Sequence, residues 1–220
     1  VTKIESPTFT QSSESTIAVS GTARAAASPD RAEMMMAIET RADTAREAQQ
    51  QNADLSTKVI DAIKRSGVPQ NNIETASFNL YPVYDYNAEG SQPRITGYTA
   101  SHAVSVKTDD AEKASEVIDA AVNAGANRVD SIQFTLTDQR RDKVYRGVLG
   151  DATLDAEAKA KAIAETLQVK IKRVRSVTTD YVFTPVYMAV PEIAMKASDS
   201  SFVPANVDVS ATVNVVYEIE

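Results

Sequence analysis

His102 is the one imidazole in a chain of 220 residues that contains no cysteine. A single histidine cannot assemble a metal site with other His or Cys ligands, and without thiols there is neither disulfide nor thiolate chemistry. His102 shares its parity with Tyr98, Ala100, Val104 and Val106. That places it on a buried or interface face, where a hydrogen-bonded structural role is the expected one and a titrating or binding role the sharper alternative. The carboxylates, 30 in all, show no spacing that pairs an acid with a base. Asp138, Asp142, Asp151 and Asp155 miss the calcium-loop pattern. Asp109 and Asp110 read as helix caps, and Asp61 and Asp119 as residues of solvated helix faces. No serine lies in a Gly-x-Ser-x-Gly elbow, and the seven glycines do not cluster into a phosphate-binding run. Asn52, in register on an apolar helix stripe, is expected to bond across to a sheet edge or loop. These residues predict no catalytic group, no cofactor and no metal.

The hydrophobic and charged fractions, 43% and 24%, are those of a globular protein with a core. A net charge of −7 disfavours nucleic acid, which requires a basic face, and disfavours an anionic membrane surface. No apolar run approaches the length of a transmembrane helix. The chain opens on Val1 and is rich in Ser, Thr and Glu up to residue 15. This reads as a flexible tether on a chain that has lost a leader or been shortened.

The elements that must position these residues follow from periodicity. Residues 16–27 and 31–41 alternate as strands, and Ser28-Pro29-Asp30 suggests that they form an antiparallel pair. Helix one (43–65) has the stripe Ala45, Ala48, Asn52, Leu55, Val59 and Ala62/Ile63. A strand from Ile73 to Tyr86, with Ala76, Phe78 and Leu80 on one face and Thr75, Ser77 and Asn79 on the other, turns through 87–94 into a strand at 95–107. Helix two (109–124) leads to a strand at 128–137. Helix three (138–168) carries Leu149, Ala152, Ala156, Ala160, Ile163 and Leu167. Its alanines permit close approach to a sheet, and Asp155–Lys159 and Glu157–Lys161 are spaced as i,i+4 pairs. Gly147 and Gly150 suggest a kink. A strand at 170–187, an irregular segment at 188–205 and an alternating strand at 207–219 close the chain.

One phrase occurs twice. Val59-Ile60-Asp61-Ala62 runs to Gly67, and Val117-Ile118-Asp119-Ala120 runs to Gly125. Each ends a helix at a glycine suited to the left-handed cap and feeds a strand. The pattern predicts an α+β fold: two layers, mostly antiparallel sheets, three helices packed on one face, and two small lobes. The expected division is a tether at 1–15, a discontinuous first lobe of 16–94 plus 174–220, and an inserted β-α-β-α-β lobe at 95–173.

Several segments together resemble the SIMPL-domain family of cell-envelope proteins. They are Ile17-Ala-Val-Ser-Gly21, Ser28-Pro29-Asp30, Thr44-Ala45-Arg-Glu-Ala48 leading to Asn52, and Ile73-Glu-Thr75 through Tyr81-Pro82. Gly97-Tyr98-Thr99-Ala100, Gly125-Ala126-Asn127 with Ile132-Gln-Phe134, and Asp155 to Leu167 complete the set. The likeness covers residues 15–220. The resemblance implies a periplasmic or externally exposed protein, ring or channel-like homo-oligomers, relatives linked to oxidative-stress defence, and no established catalytic residues. The expected function is a non-enzymatic envelope protein acting as an assembly or binding scaffold. The alternatives are a module that binds a small molecule or peptide in the groove between the lobes, and an unrecognised hydrolase. Tyr84, Tyr86, Met188, Met195 and Phe202 are the expected protein-contact residues. The segment 188–205 is expected to dock on a neighbouring subunit.

Overall fold

The computed structural model describes residues 15–85, 93–184 and 205–220, with the backbone alone for 183, 184 and 186–188. Its elements are β1 (Thr16–Ala27), β2 (Arg31–Ala42), α1 (Ala45–Arg65), β3 (Ile73–Asp85), β4 (Arg94–Thr108), α2 (Ala114–Ala124), β5 (Arg128–Thr135), α3 (Asp138–Leu167), β6 (Ile171–Thr184), β7 (Val186–Met188) and β8 (Val207–Ile219). Two sheets result, ordered β1-β8-β6 and β3-β4-β2-β5-β7. The fold is α+β, as the pattern predicts.

The chain divides into two compact units. One comprises the described parts of Val1–Ala25, Asp142–Phe183 and Val209–Glu220, and the other those of Ala26–Arg141 and Thr184–Asp208. These bounds differ from the 16–94 plus 174–220 and 95–173 division suggested by the sequence. β4 pairs antiparallel with both β2 and β3, so residues 95–108 share a sheet with 73–85.

In the larger unit, Met34, Met36 and Ile38 of β2 lie opposite Val106, Val104 and His102 of β4. Apart from His102, these residues join Val59 and Ile63 of α1 and Val117 and Ile118 of α2 in one core. The doubled phrase thus supplies equivalent helix ends: Val59 and Val117 are fully buried, Asp61 and Asp119 are exposed, and Gly67 and Gly125 have φ of 95° and 122°. α1 starts at Thr44, whose Oγ1 accepts from the Glu47 N–H. Asp110, not Asp109, caps the turn before α2 by accepting from the Glu112 N–H.

Two expectations are corrected, one on β1 and β2 and one on α3. β1 and β2 do not pair, because they belong to different sheets. Asp30 turns the chain towards β5 instead: its N–H donates to Thr135 O and its carboxylate accepts from the Thr137 N–H and hydroxyl. Phe78 and Leu80 are 48% and 40% exposed, since β3 is the edge strand and a register shift between Thr75 and Ser77 interrupts its alternation. On α3, Ile163 and Leu167 are exposed. The buried stripe is Val148, Ala152, Ala156, Ala160 and Ala164, a ridge of small side chains spaced four residues apart.

That ridge shapes the smaller unit. A Cβ on Gly21 of β1 would meet Ala152 O at 2.0 Å and Ala156 N at 2.4 Å, so helix backbone lies directly on the strand. β8 runs between β1 and β6: the Ile219 N–H donates to Ser15 O, while Lys170 and Glu220 exchange two backbone bonds. Val209, Ala211, Val213, Val215 and Tyr217 turn into this unit's core. α3 ends at Gln168, which takes the left-handed conformation (φ 56°) without being a glycine.

Candidate functional site

In the larger unit, a cleft of about 360 Å³ opens between α1 and β3. It is lined by Gln49, Asn52, Ala53, Ser56, Thr57, Ile60, Phe78 and His102. α1 delivers Asn52 and Ser56 one turn apart, and the pairing of Phe78 with His102 brings β3 and β4 to the opposite wall. The two rings meet edge-on at 6.3 Å between centroids.

A polar chain crosses the floor of the cleft. Asn52 Nδ2 donates to the carbonyls of Ile38 (2.7 Å) and Ala100 (3.0 Å), which ties α1 to β2 and β4. Ser56 Oγ donates to Asn52 Oδ1 (3.3 Å) and lies 2.8 Å from His102 Nδ1. His102 Nε2 lies 2.9 Å from Thr75 Oγ1. Donor arithmetic orients the chain. Both Asn52 N–H groups are used, so its oxygen accepts. The Ser56 proton goes to that oxygen, so Nδ1 carries the histidine proton and donates to Ser56. In the neutral ring, Nε2 then accepts from Thr75. Burial holds the His102 imidazole below its ordinary pKa, which favours that neutral form.

This polarity is opposite to the one a serine nucleophile needs. In a Ser–His pair the imidazole accepts the hydroxyl proton, and a third group orients the ring. Here Ser56 accepts from the ring, and the far nitrogen faces a threonine instead of a carboxylate. The chain is a satisfied strut, in keeping with the sequence reading of His102 and Asn52. Ser56, 4% exposed, was missed. Its one-turn spacing from Asn52 was the available signal.

Of the expected contact residues, Tyr84 lies exposed on β3 and Met188 ends β7. Tyr86, Met195 and Phe202 lie outside the described residues, as does most of 188–205. Among the described residues no cluster of His, Asp or Glu is arranged to hold a metal ion, and no helix is long and apolar enough to cross a membrane.

Exposed apolar side chains occur on α3 (Leu154, Ile163 and Leu167), on β4 (Ile95) and on two edge strands. β3 exposes Phe78, Leu80, Tyr81 and Tyr84, and β6 exposes Val174, Val177, Tyr181 and Val182. The edge at β1 differs, because α3 side chains occupy it. The Thr22 N–H donates to Asp155 Oδ2 (2.8 Å), and Lys159 Nζ donates to Ser20 O (3.0 Å) and to Asp155 (2.7 Å). The Lys159 ammonium, followed by the Thr22 N–H, holds the Asp155 carboxyl below its usual range.

Residues 17–217 match the family described as SIMPL, protein of unknown function (DUF541), and the chain belongs to that family. It is similar to the 26 kDa periplasmic immunogenic protein of Brucella melitensis, with 31% identity over 76% of this chain and 70% of that protein. It is also similar to the uncharacterized protein YggE of Escherichia coli K12, with 25% identity over 93% of this chain and 83% of that protein.

Proposed function

We propose that this SIMPL-family chain is a non-enzymatic protein of the periplasm that works as a self-assembling scaffold. The observation that carries the reading is the apolar surface on two of its edge strands, which lies beside further exposed residues on α3 and β4. Val174, Val177, Tyr181 and Val182 on β6, with Phe78, Leu80, Tyr81 and Tyr84 on β3, sit at sheet edges. An exposed, apolar edge strand is a template for pairing with another chain unless proline or bulges protect it; β3 has both protections, and β6 carries no proline. Tyr84 is exposed on β3 and remains a side-chain contact residue in this reading. The relative named as periplasmic supports the location. The reversed Ser56–His102 polarity supports the absence of hydrolytic chemistry. Sedimentation velocity over a dilution series tests the reading: a multimer that dissociates on dilution is expected, and a monomer at every concentration refutes it.

The α1–β3 cleft favours a second reading, in which a small uncharged molecule lies on Phe78 and Ile60. All its lining residues are uncharged when His102 is neutral. Thermal-shift screening against neutral aromatic metabolites tests it. A hit that also moves the His102 ring resonances supports it, and no shift across the panel removes it.

A further inference from the structure

Among the described residues the two sheets have four edges, and three are blunted by recognisable devices. At β1, Asp155 and Lys159 bind the backbone at Thr22 and Ser20. Ser15 O accepts from Ile219 on β8, and alternation turns the groups at Ser20 and Thr22 to the other side, where a further strand would bind. β3 carries Pro82, which lacks an N–H, and register shifts at Thr75/Ser77 and Val83/Tyr84. Proline and bulges are both edge protections. β7 is three residues long. β6 runs for 14 residues without proline or glycine, and every residue from Lys172 to Val182 is exposed. Its described ion pairs and side-chain bonds run to β8 and the residue after it, from Arg173 to Glu218 (2.7 Å), from Lys172 to Glu220 (3.4 Å) and from Asn214 to Asp180 (3.5 Å), and the Tyr181 ring packs edge-on against Tyr145 of α3.

The sequence of β6 matches itself when reversed. A two-fold axis perpendicular to the sheet, passing through Thr178, pairs each residue with the partner residue the same distance beyond Thr178. It keeps both on the same face, as antiparallel pairing demands. Val174 then meets the second copy's Val182 and Ser176 meets its Asp180. On the other face Arg175 meets its Tyr181 and Val177 its Thr179. The first two and the last are apolar, hydroxyl–carboxylate and β-branched pairs of a favourable kind; Arg175 and Tyr181 are not counted, because Tyr181 already packs on Tyr145 of its own chain. The two copies of Arg175 end up six residues apart along the ladder, roughly 20 Å at the strand rise, so like charges do not face each other.

We infer that β6 is a homodimer interface: two copies of this chain join their three-stranded sheets edge to edge, antiparallel about Thr178, into one six-stranded sheet. The inference rests on the assembly reading above and specifies the edge, the register and the symmetry.

The cysteine-free sequence makes the test direct. Directly opposed residues on antiparallel strands lie within disulfide reach, whereas diagonal neighbours do not. Under mild oxidation Thr178→Cys is expected to convert the monomer band to a linked dimer, and Val177→Cys, whose two copies are diagonal, is expected to leave it. Val174→Cys and Val182→Cys are expected to link only when coexpressed. A wild-type multimer in which Thr178→Cys does not link, or in which Asn79→Cys on β3 links instead, overturns the β6 inference and leaves assembly standing. A wild-type monomer overturns both.

Discussion

Replacing Asn52 with alanine tests whether the polar chain beneath α1 is a strut. The side chain is 1% exposed and makes three bonds, to Ile38 O, Ala100 O and Ser56 Oγ. Alanine removes all three partners from groups that stay buried beneath the helix. At about 1 kcal/mol net per bond the loss is about 3 kcal/mol. For a chain of this size that corresponds to a fall in Tm of about 6–12 °C. Asn52→Asp sharpens the test, because a carboxylate cannot donate and would place its charge against two carbonyl oxygens. It is expected to destabilise more than alanine despite its closer shape. Calorimetry of the three proteins reads both effects. A loss below about 0.5 kcal/mol for Asn52→Ala, the range of an unremarkable surface change, or an Asp variant more stable than the Ala variant, refutes the reasoning.

Gly21→Ala drives a Cβ into the α3 backbone and is expected to cost about 3 kcal/mol, at the upper end of overpacking. Adding Ala156→Gly is expected not to restore the melting temperature, because the two nearest clashes are with backbone atoms. The His102 pKa is lowered by burial. Between its folded value and the ordinary 6.5 the unfolded chain therefore binds more protons, and stability rises with pH. The contribution is complete above pH 6.5 and is lost as the pH falls through the folded value, so denaturation midpoints should show a slope there that His102→Gln removes. Asp155→Ala/Lys159→Ala uncovers the β1 edge and is expected to add species larger than wild type in light scattering. Unchanged size would mean that these bonds do not guard the edge.

The larger unit was legible because its elements carry strong periods. Val59, Ile63, Val117 and Ile118 fall on helix faces that the doubled phrase announces, and Gly67 and Gly125 stop those helices for a reason visible in residue type. The strand partners were not legible. Ser28-Pro29-Asp30 looks like a hairpin turn, yet Asp30 serves Thr135 and Thr137, more than a hundred residues away. Local sequence does not encode that choice. The exposure of Phe78 and Leu80 was hidden for the same reason, since alternation gives a face but not whether a strand lies at an edge. On α3, Ile163 and Leu167 outweigh alanine by hydrophobicity. The contact at Gly21 admits only the small ridge, so packing distance overrode composition. Asn52 was recognisable as a polar residue on an apolar stripe. Its link to His102 through Ser56 required the strands to be in place.

Native mass measurement of the wild-type chain, at concentrations that span dissociation, tests the central claim most directly. The two-fold β6 interface predicts even multiples of the 23.7 kDa chain, with the dimer as the last species to dissociate. A single peak at 23.7 kDa throughout, or an assembly with an odd number of copies, would contradict it.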